Sequence, residues 1–210
     1  MPEPHSIVLF VLAALVLILA PGPNFIYILT RSVSQGPRAG VISALGVELG
    51  TLVHVGAAAV GLSSLLAASA IAFDVVRYIG AAYLIYLGIR AIVGRGDIDV
   101  EPGGAPPRAG LRILRDGVLV NVFNPKVALF FLAFLPQFVD PAQGSAVGQI
   151  LVYGALMAAM GLCMDLVFAF GGGGVSRWLR RHPVVAARQR YAVGGVYLSM
   201  GAAAALSGRH

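Results

Sequence analysis

Residues 6–30 read SIVLFVLAALVLILAPGPNFIYILT, an apolar run interrupted by Pro21, Gly22, Pro23 and Asn24. A bilayer-spanning helix needs about 20 apolar residues, so the run is long enough to cross a membrane. Proline removes an amide donor and clashes with the preceding turn, which leaves backbone carbonyls without partners. The stretch therefore predicts a transmembrane helix that is broken within the membrane.

The composition of the whole chain also indicates a membrane protein. Of the 210 residues 58% are apolar and 11% are charged, and the mean hydropathy is +0.85. An ordinary soluble domain has about 25% charged residues, so this chain cannot cover a water-exposed surface of its own size. We therefore expect an all-α integral membrane protein in a lipid bilayer, with a single transmembrane domain over 1–210.

Six apolar runs are long enough to be transmembrane helices, at 6–30, 39–68, 70–93, 117–138, 146–173 and 191–207. The segment 95–110, RGDIDVEPGGAPPRAG, is polar and rich in Gly and Pro, as linkers are. It divides the domain into a first three-helix half (1–94), a cytoplasmic linker (95–112) and a second three-helix half (113–210). Gly46 and Gly50 form a GxxxG pair, which favours close helix packing and permits a homodimer without requiring one.

The distribution of arginine predicts the orientation of the helices. The net charge is +6, and most arginines lie in the first, third and fifth connections: Arg31, Arg38, Arg95, Arg108, Arg112, Arg115, Arg177, Arg180, Arg181, Arg188 and Arg190. Short basic loops stay in the cytoplasm, so both termini are expected on the periplasmic side. Because the basic residues lie in loops rather than in a patch with exposed aromatics, the sequence speaks against nucleic-acid binding.

The two halves carry similar features at matching places, which indicates an inverted repeat. The fourth run is broken by Asn124, Pro125 and Lys126, as the first is broken at 21–24. In the middle run of each half a glycine precedes an ionisable residue by four positions, as Gly50 precedes His54 and Gly161 precedes Asp165. Many transporters alternate access between inverted halves, with the substrate site at broken helices.

A helix broken inside a membrane exposes polar backbone groups to the interior. Its new N-terminus suits a carboxylate, and the carbonyls at its new C-terminus suit an ammonium group or another cation. An amino-acid zwitterion needs both. The alternative is a simple proline kink, in which Asn24 and Asn124 satisfy the freed backbone groups.

Four ionisable residues lie well away from the ends of the apolar runs: Glu48, His54, Lys126 and Asp165. Such residues face the bundle interior and mark an ion or substrate path. Glu48, Thr51 and His54 follow one stripe of the second run, and carboxyl and imidazole groups can carry protons. Each also has a structural interpretation, with His54 hydrogen-bonded in the core, Glu48 near the cytoplasmic end, and Lys126 reaching the interface.

Five motifs in order resemble the LysE/RhtB family of bacterial amino-acid exporters: PGPNF at 21–25, GVELGTLVH at 46–54, AAYLIYLGIR at 81–90, NVFNPK at 121–126 and FLPQF at 134–138. The resemblance covers nearly the whole chain. It implies a translocator of the bacterial inner membrane with six spans, driven by the proton-motive force. The matching positions are Pro21, Gly22, Asn24, Gly46, Gly50, His54, Asn124, Pro125, Lys126 and Asp165, whereas Glu48 stands where many relatives have an uncharged residue.

Together these features predict an exporter of a small amino acid by proton antiport. The resemblance implies basic or small neutral substrates, such as lysine, arginine, threonine or homoserine. Asn24 and Asn124 would orient the substrate, Lys126 would hold its carboxylate, and Asp165 and His54 would carry or relay the proton. Asn121 and Gly50 complete the expected transport path. The sequence predicts no cofactor and no resident metal.

Two other functions remain open at this point. A metal or inorganic-ion exporter of similar architecture would use Glu48, His54 and Asp165 as ligands, although the chain lacks the His-rich or acidic loops typical of metal traffic. An intramembrane enzyme is disfavoured, because the sequence has neither HExxH nor GxSxG.

Overall fold

The computed structural model describes residues 3–68 and 108–181 without a gap. It also describes separate positions in two further segments: 75, 78–79, 81–82, 85–86, 88–89, 92–93, 188, 191, 194–195, 198–199, 201–202 and 205. Every regular element in these parts of the chain is a helix. The all-helical architecture expected from the sequence is therefore confirmed for the described residues.

The first apolar run forms two helices with a sharp bend between them. Helix α1 spans Pro4–Leu19 and helix α2 spans Pro23–Gln35, and their axes differ by 53°. Ala20 has an extended backbone that ends α1, and Pro23 occupies the first turn of α2, where a proline costs no hydrogen bond. The predicted break thus lies at 20–22, and α2 continues five residues beyond the predicted end of the run.

The fourth apolar run is broken in the same way. Helix α4 spans Gly110–Val122 and helix α5 spans Pro125–Leu129, which continues as a π-helical turn (Phe130–Phe134) and a 3₁₀ turn (Leu135–Phe138). The bend between α4 and the segment from Pro125 to Phe138 is 47°. Helix α4 begins seven residues before the predicted run, within the segment expected to be linker.

Helix α3 (Pro37–Ala68) and helix α6 (Ala146–Arg181) are the long continuous helices among the described residues. Their portions Pro37–Gly61 and Ala146–Gly172 are each long and apolar enough to cross a membrane. If each bent pair is counted as one span, the described residues contain four such spans. A 3₁₀ turn at Pro141–Gln143 precedes α6.

Helix α3 is the centre of the packing, with α4 on one side and α6 on the other. Glycines allow the close approach. A Cβ on Gly117 of α4 would lie 2.9 Å from the Ser43 carbonyl oxygen, and a Cβ on Gly40 of α3 would lie 3.0 Å from the Ala169 Cα of α6. The predicted GxxxG pair contributes to this close packing, because Gly46 lies against Leu114 and Gly117 of α4.

The predicted spans at 70–93 and 191–207 fall largely outside the described residues. The described positions within them are helical. They lie against each other, because a Cβ on Gly88 would be 2.9 Å from the Gly194 carbonyl oxygen and one on Gly201 would be 2.9 Å from the Ala81 carbonyl oxygen. The six-helix inverted repeat, the division into two halves and the 95–112 linker stay predictions.

The outer surface of the described helices is rich in large apolar side chains. Leu12 and Val8 of α1 are each 56% exposed, and Leu111 and Phe123 of α4 are about 80% exposed. A soluble protein rarely exposes apolar patches of this extent. The surface fits contact with lipid chains, which agrees with a membrane protein.

Candidate functional site

The two helix breaks meet in the interior of the bundle. The Asn124 Nδ2 group, before α5, donates a 3.0 Å hydrogen bond to Asn24 Oδ1, at the start of α2. Asn24 Nδ2 in turn donates to Asn121 Oδ1, at the end of α4, also at 3.0 Å. Residues 97 and 100 positions apart are thus joined, and the breaks predicted separately from the sequence belong to one structure.

Asn121 is the fully buried centre of this amide network. Its Nδ2 group donates to the Val47 carbonyl oxygen at 2.6 Å and to Thr51 Oγ1 at 2.8 Å, so α3 joins the two breaks. Gly50 makes room for it, since a Cβ there would lie 2.7 Å from the Asn121 Cβ. Both polar side-chain atoms of Asn121 therefore have partners, and a buried polar atom without one would cost about 1–3 kcal/mol.

Asn124 also caps the second broken helix. Its Oδ1 accepts a 3.0 Å hydrogen bond from the Lys126 backbone N–H, which is the usual role of an asparagine before the first turn. Pro125 occupies that first turn. One side chain therefore starts α5 and, through Nδ2, ties it to α2.

A cavity of about 50 Å³ lies where the breaks meet, with space for about four water molecules. Helices from both predicted halves line it. Its walls are Leu17, Ile18, Ala20, Gly22, Asn24, Phe25, Glu48, Thr51, Asn124, Lys126, Val127, Met157, Gly161, Asp165 and Phe168. The cavity therefore combines amide, carboxyl and ammonium groups with apolar walls.

The Lys126 side chain, at the second helix break, contacts the backbone of the first helix break. It donates a 2.5 Å hydrogen bond to the Ala20 carbonyl oxygen, at the end of α1. That oxygen belongs to the negative end of the α1 dipole and has no partner within the helix, so it suits a cation. Lys126 also interacts electrostatically with Asp165 of α6, which is 7% exposed.

Glu48 of α3 is the second carboxyl group of the cavity. It lies beside Gly161 of α6, where any Cβ would overlap its carboxyl oxygens, and it interacts with Asp165. Among the described residues, its Oε2 atom is buried and has no hydrogen-bond partner. Two carboxyl groups and one ammonium group thus share the cavity.

His54 is close to the break but does not line the cavity. Its Nε2 atom lies 3.1 Å from the Asn121 carbonyl oxygen, and its ring stacks on Phe131 with an angle of 12° between the planes. Because a carbonyl oxygen only accepts hydrogen bonds, Nε2 carries the proton in this contact. His54 thereby satisfies a carbonyl at the end of α4.

Aromatic rings pack on two sides of the cavity. Phe10 lies in α1, two turns before Leu17 of the cavity wall. Its ring contacts Phe130, Phe138 and Tyr153, with ring centroids 4.7 to 5.8 Å apart. In the cavity wall, Phe25 of α2 meets Phe168 of α6 edge to face at 4.8 Å. Both groups join the first broken helix to elements of the second half.

The structure brings together most of the residues predicted for the transport path. Gly22, Asn24, Glu48, Thr51, Asn124, Lys126 and Asp165 line the cavity, while Pro21, Pro23, Gly50, His54, Asn121 and Pro125 lie behind it or form the breaks. Sequence reasoning missed the apolar walls, including Phe25, Met157 and Phe168. Among the described residues no three His, Cys, Asp or Glu side chains cluster as a metal site would require.

Comparison with known proteins gives consistent matches over nearly the whole chain. The family model of the LysE type translocator matches residues 15–208. The homoserine/homoserine lactone efflux protein of Salmonella typhimurium is 31% identical over 201 residues, which cover 96% of each chain. The leucine efflux protein of Enterobacter sp. (strain 638) is 28% identical, covering 96% of this chain and 94% of the relative.

An uncharacterized membrane protein of Pseudomonas aeruginosa is 32% identical over 196 residues, which cover 91% of each chain. No solved structure matches the chain. The family model and these relatives confirm the resemblance seen in the sequence motifs. The chain belongs to the family of LysE-type translocators.

Proposed function

We propose that this protein exports a small amino acid across the bacterial inner membrane in exchange for protons. The observation that carries the proposal is the meeting of two broken helices at one cavity that contains Asn24, Asn124, Lys126, Glu48 and Asp165. Two relatives are named for the efflux of homoserine and of leucine, and they support a substrate of this class.

The cavity offers partners for both ends of a zwitterion. The Lys126 ammonium uses one of its three hydrogens on the Ala20 carbonyl oxygen, so further hydrogens remain for a substrate carboxylate. The N-terminal ends of α2 and α5, whose dipoles favour an anion, both border the cavity. Asn24 and Asn124, which line the cavity and are hydrogen-bonded to each other, would orient the substrate from one wall.

Transport requires this conformation to change. Aromatic rings pack on two sides of the cavity, and a transporter must open its site to each side of the membrane in turn. We infer that the two halves separate alternately toward the cytoplasm and the periplasm, with the termini on the periplasmic side. Asp165 is the group proposed to carry the proton, and His54 to relay it from behind the cavity.

The proposal is tested by efflux from bacterial cells preloaded with labelled amino acids, including homoserine, leucine, threonine, lysine and arginine. Cells with the protein should release one or more of them faster than cells without it, and collapse of the proton gradient should abolish the difference. Equal release for the whole panel, with the protein present in the membrane, would contradict amino-acid export. The panel is then repeated with divalent metal ions, whose export would support the alternative.

The proton role of Asp165 has its own test. Replacing Asp165 by Asn removes one titrating group of the cavity with little change in size, so export should fall and its dependence on pH should change. A variant that kept both the rate and the pH dependence would remove Asp165 from the proton path. Asp165→Glu is the matched control, which keeps an acid at this position.

A further inference from the structure

Glu48 is the carboxyl group of the cavity that lacks a cation. Three ionisable side chains line the cavity, and Lys126 interacts with Asp165 while it donates to the Ala20 carbonyl oxygen. No other lysine, arginine or histidine lines the cavity among the described residues. When all three side chains are charged, the cavity holds one negative charge in excess, and Glu48 carries it.

The carboxylate of Glu48 also lacks a full set of hydrogen bonds. Within the described part of the chain its buried Oε2 atom has no partner, and the carboxyl group otherwise interacts with Thr51 and Asp165. Gly161 packs against this carboxyl group, because a Cβ at 161 would lie only 3.3 Å from Oε2 and closer to the other carboxyl atoms. Glu48 and Gly161 both line the cavity, so a molecule held there can reach the carboxyl group.

A carboxylate without a cation beside it in a membrane interior is costly unless a proton or a cation neutralises it. The facing titratable groups are Asp165 from α6 and Lys126 from α5, and the lining residues of α1 and α2 include none. Asp165 adds negative charge beside Glu48, which makes the binding of a proton or a cation there more favourable. One carboxylate cannot hold a proton and pair fully with an ammonium group at the same time.

We propose that Glu48 is the group at which a proton and the ammonium group of the substrate compete. This inference rests on the proposed function and extends it, since it assigns the substrate's two ends: ammonium to Glu48 and carboxylate to Lys126. Release of the ammonium group allows Glu48 to take up a proton, and loss of that proton restores the site. Mutual exclusion of this kind couples export of the amino acid to import of protons.

The first test uses the wild-type full-length protein in liposomes and the amino acid that the efflux panel identifies. Its amide derivative keeps the ammonium group, so its inhibition of transport should weaken as the pH falls, whereas inhibition by the N-acetyl derivative, which keeps only the carboxylate, should not weaken. The apparent KM should rise by about tenfold for each pH unit of acidification on the substrate-binding side, over the range in which Glu48 takes up its proton. The same pH dependence of inhibition for both derivatives, or a KM that does not change with pH, would overturn the proposal.

The second test compares Glu48→Gln with Glu48→Asp. Gln has nearly the same shape but no charge, so KM should rise at least tenfold and no longer depend on pH, whereas Asp should restore the pH dependence. If Glu48→Gln kept the wild-type KM and pH profile, the role of Glu48 would be refuted while amino-acid export stood. If the wild-type protein exported no amino acid, the proposed function itself would fail. The derivative experiment requires no variant, so misfolding of Glu48→Gln does not prevent a decision.

Discussion

Asn24 and Asn124 are hydrogen-bonded to each other at 3.0 Å, although they lie 100 residues apart, each at the start of the second segment of a broken helix. The bond joins two breaks that the sequence shows only as separate proline motifs. With Asn121 it ties α2, α4 and α5 together around one cavity. A proline kink in each helix would not by itself require this contact, so the pairing favours a shared site.

Asn121 should be essential for stability as well as for transport. Asn121→Ala removes the donor to the Val47 carbonyl oxygen and to Thr51, and the acceptor for Asn24. We expect a loss of roughly 2–4 kcal/mol, because several buried polar groups lose their partners at once. Thermal unfolding of the purified protein in detergent measures this loss.

The control for this variant lies two positions earlier on the same helix. Leu119 is 45% exposed, and Leu119→Ala should shift the unfolding temperature far less. Equal shifts for the two variants would contradict a structural role for the amide network.

Asn124 has two functions that substitution can separate. Asn124→Ser keeps a good helix cap but is too short to donate to Asn24, whereas Asn124→Ala loses both contacts. We expect Asn124→Ser to fold nearly normally with reduced export, and Asn124→Ala to lose about 1 kcal/mol more stability. Export rates normalised to the amount of folded protein distinguish the two effects, and full activity of the Ser variant would show that the Asn24 contact is dispensable.

Gly161 should tolerate no side chain, because a Cβ there overlaps the Glu48 carboxyl group. Gly161→Ala is therefore expected to reduce export at least tenfold by displacing Glu48 or narrowing the cavity. Gly56→Ala in α3 is the matched control, since nothing lies within 4 Å of its Cβ position and alanine favours a helix. Wild-type export by Gly161→Ala would show that the Glu48 position is flexible.

Lys126 and Asp165 should behave as a coupled pair. Lys126→Met leaves two carboxyl groups in the cavity without their cation, so both folding and export should suffer. Adding Asp165→Asn removes one carboxylate and should recover part of the lost stability, although not the export. A double-mutant cycle of unfolding free energies measures the interaction, and strictly additive effects would indicate that the pair does not interact.

Much of the fold was predictable because the membrane imposes simple rules. Apolar runs of sufficient length fixed the positions of α3 and α6, and the prolines at 21, 23 and 125 located both breaks. The same rule selected Glu48, Lys126 and Asp165, since ionisable residues in such runs face the interior.

The rest depends on geometry that a linear pattern does not contain. Phe25, Met157 and Phe168 line the cavity, but apolar residues in an apolar run carry no signal for the side that they face. The start of α4 at Gly110 was missed because its first turns carry Arg112, Arg115 and Asp116, which lowers the apolar content. The spacing of His54 predicts that it shares one helix stripe with Glu48 and Thr51. In the structure its side chain contacts the Asn121 carbonyl oxygen and the Phe131 ring instead.

The central claim is that the two breaks form one amino-acid site coupled to protons, and substrate-driven proton movement tests it most directly. Purified protein is placed in liposomes with a pH-sensitive dye inside, and the exported amino acid is added to one side without an imposed gradient. We predict proton movement opposite to the amino acid, absent from protein-free liposomes and strongly reduced in Lys126→Met. Amino-acid flux without any proton movement in the wild-type protein would contradict the antiport mechanism.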